Sequence, residues 1–155
     1  METFAKILVP VDLSDASPLM VPYVKTMSTR FSSAVHLLFV ARILDYFSAV
    51  YVPSESIDHF EKAIMEGAWR RLEEFRDQYF GDIADVRYEV VAGDAAEQII
   101  AHARNRAMDL IIIGTHGRKG LDRIVFGSVA QRVCRRAGIP VLLINPYRAA
   151  GSHPD

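Results

Sequence analysis

Five short apolar runs, spaced along the chain and separated by stretches with helical periodicity, constrain the fold more than any other feature. They are KILVPVD (residues 6–12), AVHLLFVA (34–41), VRYEVV (86–91), LIIIG (110–114) and VLLI (141–144). Near-continuous apolar runs of this length suit strands buried on both faces, as in parallel sheets; VRYEVV, with Arg87 and Glu89, reads as a strand with partial alternation. Parallel neighbours need long crossover connections, normally helical and right-handed. The pattern therefore predicts an α/β protein with a doubly wound five-stranded parallel sheet, strand order 3-2-1-4-5. In such sheets ligands bind beyond the carboxyl ends of the strands where the order reverses, here between strands 1 and 4.

Local signals place the helices between the strands. Ser17 as a cap followed by Pro18 starts one that runs to about residue 30. A long helix is expected from near Ser56, with Phe60, Ile64, Ala68, Leu72, Phe75 and Tyr79 in one apolar stripe, Trp69 as a core anchor beside it, and Gly81 as its stop. Asp94 with Glu97 three residues on resembles a capping box and opens a helix to about residue 107. Ser128 with Gln131 reads as another, opening a helix that ends at Gly138. Residues 42–56 are irregular yet apolar and aromatic, as in a flap or a contact surface. His36, inside the second run, reads as a packed or hydrogen-bonded core-edge histidine rather than a ligand. One domain is expected over residues 1–147, with a frayed tail over 148–155.

Composition excludes several classes. The 155 residues are 50% hydrophobic and 24% charged with a net charge of −1, an ordinary globular balance that calls for no nucleic acid. No segment has the unbroken apolar length of a membrane span, and the start lacks the basic region of a signal peptide. The single cysteine, Cys134, permits no internal disulfide, so a reducing cytoplasm is expected. The charge is uneven: residues 114–136 hold six basic side chains (Arg118, Lys119, Arg123, Arg132, Arg135, Arg136) and one acid, Asp122. Such a cluster is either a solvated helix face or a local anion site.

The same stretch holds four glycines: Gly114, Gly117, Gly120 and Gly127. Glycine costs backbone entropy on folding, so this density implies a loop whose backbone must approach something closely. A strand, a glycine-rich loop and a helix N-terminus together can bind phosphate, because free N–H groups and the helix dipole favour anions. Neither G-x-x-x-x-G-K-[ST] nor G-x-G-x-x-G occurs.

GTHGRKGLDRIVFGS instead matches G-x2-G-x9-G-[ST], and in this the chain resembles the ATP-binding branch of the universal stress protein family. KILVPVDLSDAS, VVAGDAAEQIIAHA and PVLLI resemble the family's first strand and turn, third strand and helix, and last strand. The likeness covers most of the chain and implies a Rossmann-like fold holding ATP, with Mg2+ carried by its phosphates. By position, Asp12 would face the ribose or adenine, near Pro10 and Val11, and Val40 would meet the base through its backbone. Gly114, His116, Gly117, Arg118, Gly127, Ser128 and Val129 would surround the phosphates and ribose. From the residues alone, Asp12 has a second reading, an Asx turn with Ser14.

The functional expectation is a cytoplasmic ATP-binding stress-response regulator in which nucleotide binding is the switch; the word stress comes from the resemblance. The alternative is a slow ATP hydrolase or an adenylate- or phosphoryl-transferring enzyme using the same crevice. No catalytic residue is assigned, because near the loop only His116 and Asp122 offer acid–base chemistry and neither is paired by spacing. A response regulator would need an acid ending strand 3 and a lysine ending strand 5; Val90-Val91 and Ile144-Asn145 stand there. Strand 5, Val141–Ile144, would be an apolar sheet edge with no lysine to blunt it, and the resemblance too points to a homodimer through it.

Overall fold

The computed structural model describes residues 3–43, 53–115 and 127–147. Five strands, β1 (Lys6–Pro10), β2 (Ala34–Ala41), β3 (Val86–Ala92), β4 (Leu110–Gly114) and β5 (Val141–Ile144), alternate with four helices, α1 (Ser17–Phe31), α2 (Ser54–Phe80), α3 (Ala95–Asn105) and α4 (Ser128–Arg136). The strands form one sheet in the order β3-β2-β1-β4-β5, all pairs parallel, with β1 aligned to β2 at Leu8 and His36 and to β4 at Leu8 and Ile111. The expected architecture and order are both present.

Alternation along each strand divides the core between the two faces. Ile7, Val9, Leu37, Val90 and Ile112 pack under α1 and α2 with Val24, Leu72 and Phe75. Leu8, Leu38, Ile111 and Ile113 pack under α3 and α4 with Ile99, Ala103 and Val133. Burying β1, β2 and β4 on both faces explains why they read as near-continuous apolar runs, whereas the edge strand β3, with Arg87 and Glu89, alternates in part.

Helix α2 departs from its expected start and role. It begins at Ser54, two residues early. At 27 residues it spans about 40 Å, against about 23 Å for the seven residues of β3. Only its second half lies on the sheet, so Ala68, Leu72 and Phe75 are buried while Phe60, on the same stripe, is 42% exposed. Trp69 is no core anchor: it is 39% exposed and stands edge-on to Tyr88, ring centroids 5.6 Å apart. Gly81 follows the helix with φ −62°, so it is not a left-handed stop. No helix among the described residues is long and apolar enough to cross a membrane.

Candidate functional site

At the end of β1 the chain leaves the sheet between its two neighbours. Pro10 and Val11 are buried, and the Val11 N–H donates to the Leu38 carbonyl at 2.9 Å, carrying the β2 pairing one residue past the strand. Asp12 then turns the chain. Its Oδ1 accepts from the Ser14 N–H (3.0 Å), the Ser14 hydroxyl (2.6 Å) and the buried Ser17 hydroxyl (3.0 Å). This is the Asx turn with Ser14, extended to Ser17. Among the described residues no donor reaches Oδ2, so one carboxylate oxygen holds the turn and the other is available. Leu13 takes φ +58°, a left-handed conformation uncommon for a side chain of its kind.

Ser17 belongs to the site by a route that its sequence context concealed. Before Pro18 it reads as a helix cap. The cap position is in fact Ala16, without a side-chain hydrogen bond, and Ser17 is the first helical residue. Its hydroxyl is therefore free to serve Asp12. The D-x-S spacing reveals the Ser14 bond; the Ser17 bond depends on how α1 turns back under the loop.

Across the switch point, β4 ends at Gly114, opposite Ile144 of β5. Thr115 continues that pairing, its N–H donating to the Ile144 carbonyl at 2.8 Å, and its own carbonyl accepts from the Gly127 N–H at 2.8 Å. One hydrogen bond thus joins the two residues, Thr115 and Gly127, on either side of 116–126. His116, Gly117 and Arg118 lie outside the described residues. Gly127 has φ −57°, so its need for glycine is not conformational; a Cβ there would sit 3.1 Å from the Thr115 carbonyl oxygen. Close backbone approach favours glycine at this position, since a Cβ would require the Thr115 carbonyl to give way by a few tenths of an ångström.

Gly127 is the cap residue of α4 and supplies no side chain; Ser128 is the first helical residue, exposed, and makes no cap bond. The expected capping box of Ser128 and Gln131 is therefore absent. Val129 is half-buried against the core under α3 and α4. Val40, the next-to-last residue of β2, pairs with Val91 and packs on that same core. The fold thus gathers Pro10, Val11, Asp12, Val40, Gly114, Gly127, Ser128 and Val129 at the carboxyl ends of β1, β2 and β4.

The basic cluster does not act as a unit. Arg132 bridges Asp94 (2.9 Å) and Glu97 (3.1 Å), and Arg136 pairs with Glu97. The hydrogen bond from Arg132 holds the Asp94 carboxyl below its usual range, and that from Arg136 does the same to Glu97. Two of the six basic side chains are spent on clasping α4 to the start of α3, and Arg118, Lys119 and Arg123 lie outside the described residues.

The profile of the universal stress protein family matches residues 3–145. Universal stress protein A homolog 2 of Coxiella burnetii is 31% identical, over 93% of this chain and 97% of its own. Universal stress protein MJ0577 of Methanocaldococcus jannaschii is 28% identical over 91% and 94% of the two chains; its solved structure matches with a TM-score of 0.81 over 92% and 96%. A universal stress protein solved in complex with cAMP shares the fold, with a TM-score of 0.66 at 19% identity over 93% and 98%.

Proposed function

The chain belongs to the universal stress protein family, and from that membership and the geometry of its crevice we propose that it is a cytoplasmic regulatory protein that binds ATP at the switch point. The observation that carries the reading is the pairing of two unlike features across β1 and β4. On one side stands the Asp12 turn, with one carboxylate oxygen that no donor reaches among the described residues. On the other stands an α4 N-terminus with no side-chain cap and no acid in its first turn, whose orphan N–H groups and dipole suit phosphate. Asp12, beside Pro10 and Val11, would take the ribose or adenine, and the Val40 backbone the base. Gly114, Gly127, Ser128 and Val129, with His116, Gly117 and Arg118, would take the phosphates and ribose, Mg2+ arriving on the nucleotide. That a relative of the same fold was solved with cAMP supports an adenine nucleotide as the ligand class.

Binding is the switch in this reading: occupancy changes the affinity for a partner by differential contacts with two states. The second copy of the chain would pair through β5, the sheet edge opposite β3, as an isologous contact. Mass spectrometry of the protein purified without added nucleotide tests the ligand. An adenine nucleotide released on denaturation is expected; a protein that releases none, and binds none in calorimetry, would refute the reading. Light scattering tests the pairing, and a monomer mass would exclude it.

A further inference from the structure

Helix α2 reaches the crevice through one side chain. Arg71 Nη2 donates to the Leu13 carbonyl at 3.2 Å. Every other polar partner described for the turn lies within it: Asp12 Oδ1 accepts from Ser14 and Ser17, and the Ser17 N–H donates to the Ser14 carbonyl at 3.0 Å. Arg71 is exposed and follows Trp69 and Arg70 on the outer side of the helix, next to the buried Leu72. Among the described residues it makes no ion pair, so the Leu13 carbonyl is the partner it has.

The bond falls at one of the non-glycine residues held in the left-handed region. Leu13 sits at φ +58°, and a residue with a Cβ in the left-handed region costs about 1–2 kcal/mol. Leu13 is also half-buried on the core beneath α1 and α2, which fixes its side chain but not the peptide that follows. In the left-handed conformation that peptide turns its carbonyl toward α2, where the guanidinium meets it. If the peptide flipped, the Ser14 N–H would swing with it and leave Asp12 Oδ1, and the carboxylate would lose one of the three donors, beside the Ser14 and Ser17 hydroxyls, that set its rotamer.

We propose that Arg71 is a positioning residue for the nucleotide site, a strut from α2 that holds the Leu13–Ser14 peptide so that Asp12 presents its second oxygen to the ligand. The proposal rests on the nucleotide reading above for its consequence, but the strut itself is a property of the ligand-free chain. Arg71 touches no ligand; it acts through Leu13 on Asp12. Because the turn sits at the ribose and adenine end, the strut affects adenosine and ATP alike.

The test uses the full chain and four variants: Arg71→Ala, Arg71→Lys, Leu13→Asn and the double variant Arg71→Ala with Leu13→Asn. Calorimetry with adenosine and with ATP gives the affinities. Arg71→Ala should weaken both by the same factor, about three- to tenfold for one net hydrogen bond, with little change in melting temperature. Lysine, which can still donate to a carbonyl, should restore most of the loss. Asparagine tolerates the left-handed region, so in the Leu13→Asn background removing Arg71 should cost less. A role for Arg71 in general stability would produce neither the lysine rescue nor that coupling.

NMR of the ligand-free proteins separates failure of the strut from failure of the ligand assignment. The Ser14 N–H, which donates to Asp12 Oδ1, turns away from it if the Leu13–Ser14 peptide flips, so its hydrogen exchange reads the strut. That exchange should be slow in the wild type and faster in Arg71→Ala. If it is unchanged in Arg71→Ala, the strut is refuted even if ATP binds. If it quickens while the wild type binds neither adenosine nor ATP, the strut stands and the nucleotide reading falls. A loss confined to ATP and absent with adenosine would also overturn the proposal, since it would place Arg71 at the phosphates.

Discussion

Helices α3 and α4 hold matching places in the fold and begin differently. Both follow a strand, both lie on one face of the sheet, and they share the core around Ile99, Ala103 and Val133. At the start of α3, Asp94 caps the helix by accepting from the Glu97 N–H at 3.0 Å, and Glu97 adds a second carboxylate to the first turn. At the start of α4 stands Gly127, with no side chain to cap the helix and no acid in its first turn. The positive end of α3 is thus met by its own side chains, whereas among the described residues no side chain caps that of α4. Arg132 and Arg136 sharpen the contrast, since they run from α4 back to the acids of α3. A helix N-terminus thus stands twice on one face of the sheet, with a side-chain cap at α3 and none among the described residues at the switch point.

Gly127→Val should break the contrast most severely. Its Cβ would crowd the Thr115 carbonyl oxygen at 3.1 Å, and the branch would stand over the first N–H groups of α4. Losing two hydrogen bonds to a charged phosphate corresponds to about a hundredfold in affinity. Calorimetry with ATP measures it, with the milder Gly127→Ala as a control for fold. Wild-type affinity in the valine variant would remove α4 from the site.

Ser128→Asp should make α4 behave more like α3. An acid in the first turn stabilises a helix by about 0.3–1 kcal/mol, while it repels a phosphate approaching the same N–H groups. The expected result is opposite signs: a higher melting temperature without ligand and roughly tenfold weaker ATP binding. Both quantities moving in the same direction would show that the end of α4 is not an anion seat.

How far such distinctions were legible beforehand depends on their range. The strand order was readable because two-sided burial leaves continuous apolar runs and crossovers allow few arrangements. Asp94 was readable because a cap acts over three residues. Ser128 misled for the same reason: its spacing to Gln131 satisfies a local pattern, but the helix starts one residue earlier than that pattern implies, and Gly127 is held in the cap position by Thr115, a partner twelve residues away. Trp69 misled because the apolar stripe of α2 continues beyond the end of the sheet, and no local pattern records where the strands stop. The clasp of Arg132 on Asp94 spans 38 residues and left no trace in the charge count except an excess of arginine. Arg71 on Leu13 spans 58 and left none.

Asp94→Ala tests the closed member of the pair. A lost aspartate cap costs about 1 kcal/mol, which should appear as a lower denaturation midpoint in urea. ATP affinity should change little, because the cap belongs to α3. A loss of affinity comparable to that of Ser128→Asp would mean that the clasp through Arg132 sets the position of α4.

The smallest expected effect comes from the far end of α3. His102, buried in its last turn, lies 3.8 Å from Glu89 Oε2 and edge-on to His36 of β2, with ring centroids 6.4 Å apart. A helix C-terminus and Glu89 favour the charged imidazole, yet burial outweighs them and holds His102 below its usual range, with Arg106 adding to the shift. His36 is lowered as well, first by burial and then by Arg87, His102 and Lys6, against a smaller opposing effect of Asp85. Both groups bind protons more readily in the unfolded chain, so the native state is favoured fully above the usual histidine pKa of about 6.5. That advantage declines as pH falls below this value toward the lowered folded pKa values. Urea denaturation across this range should show the decline, and His102→Gln should flatten it while leaving ATP affinity at neutral pH intact. A stability that rises on acidification would mean that Glu89 and the helix end outweigh burial, and α3 would then be electrostatically satisfied at both ends.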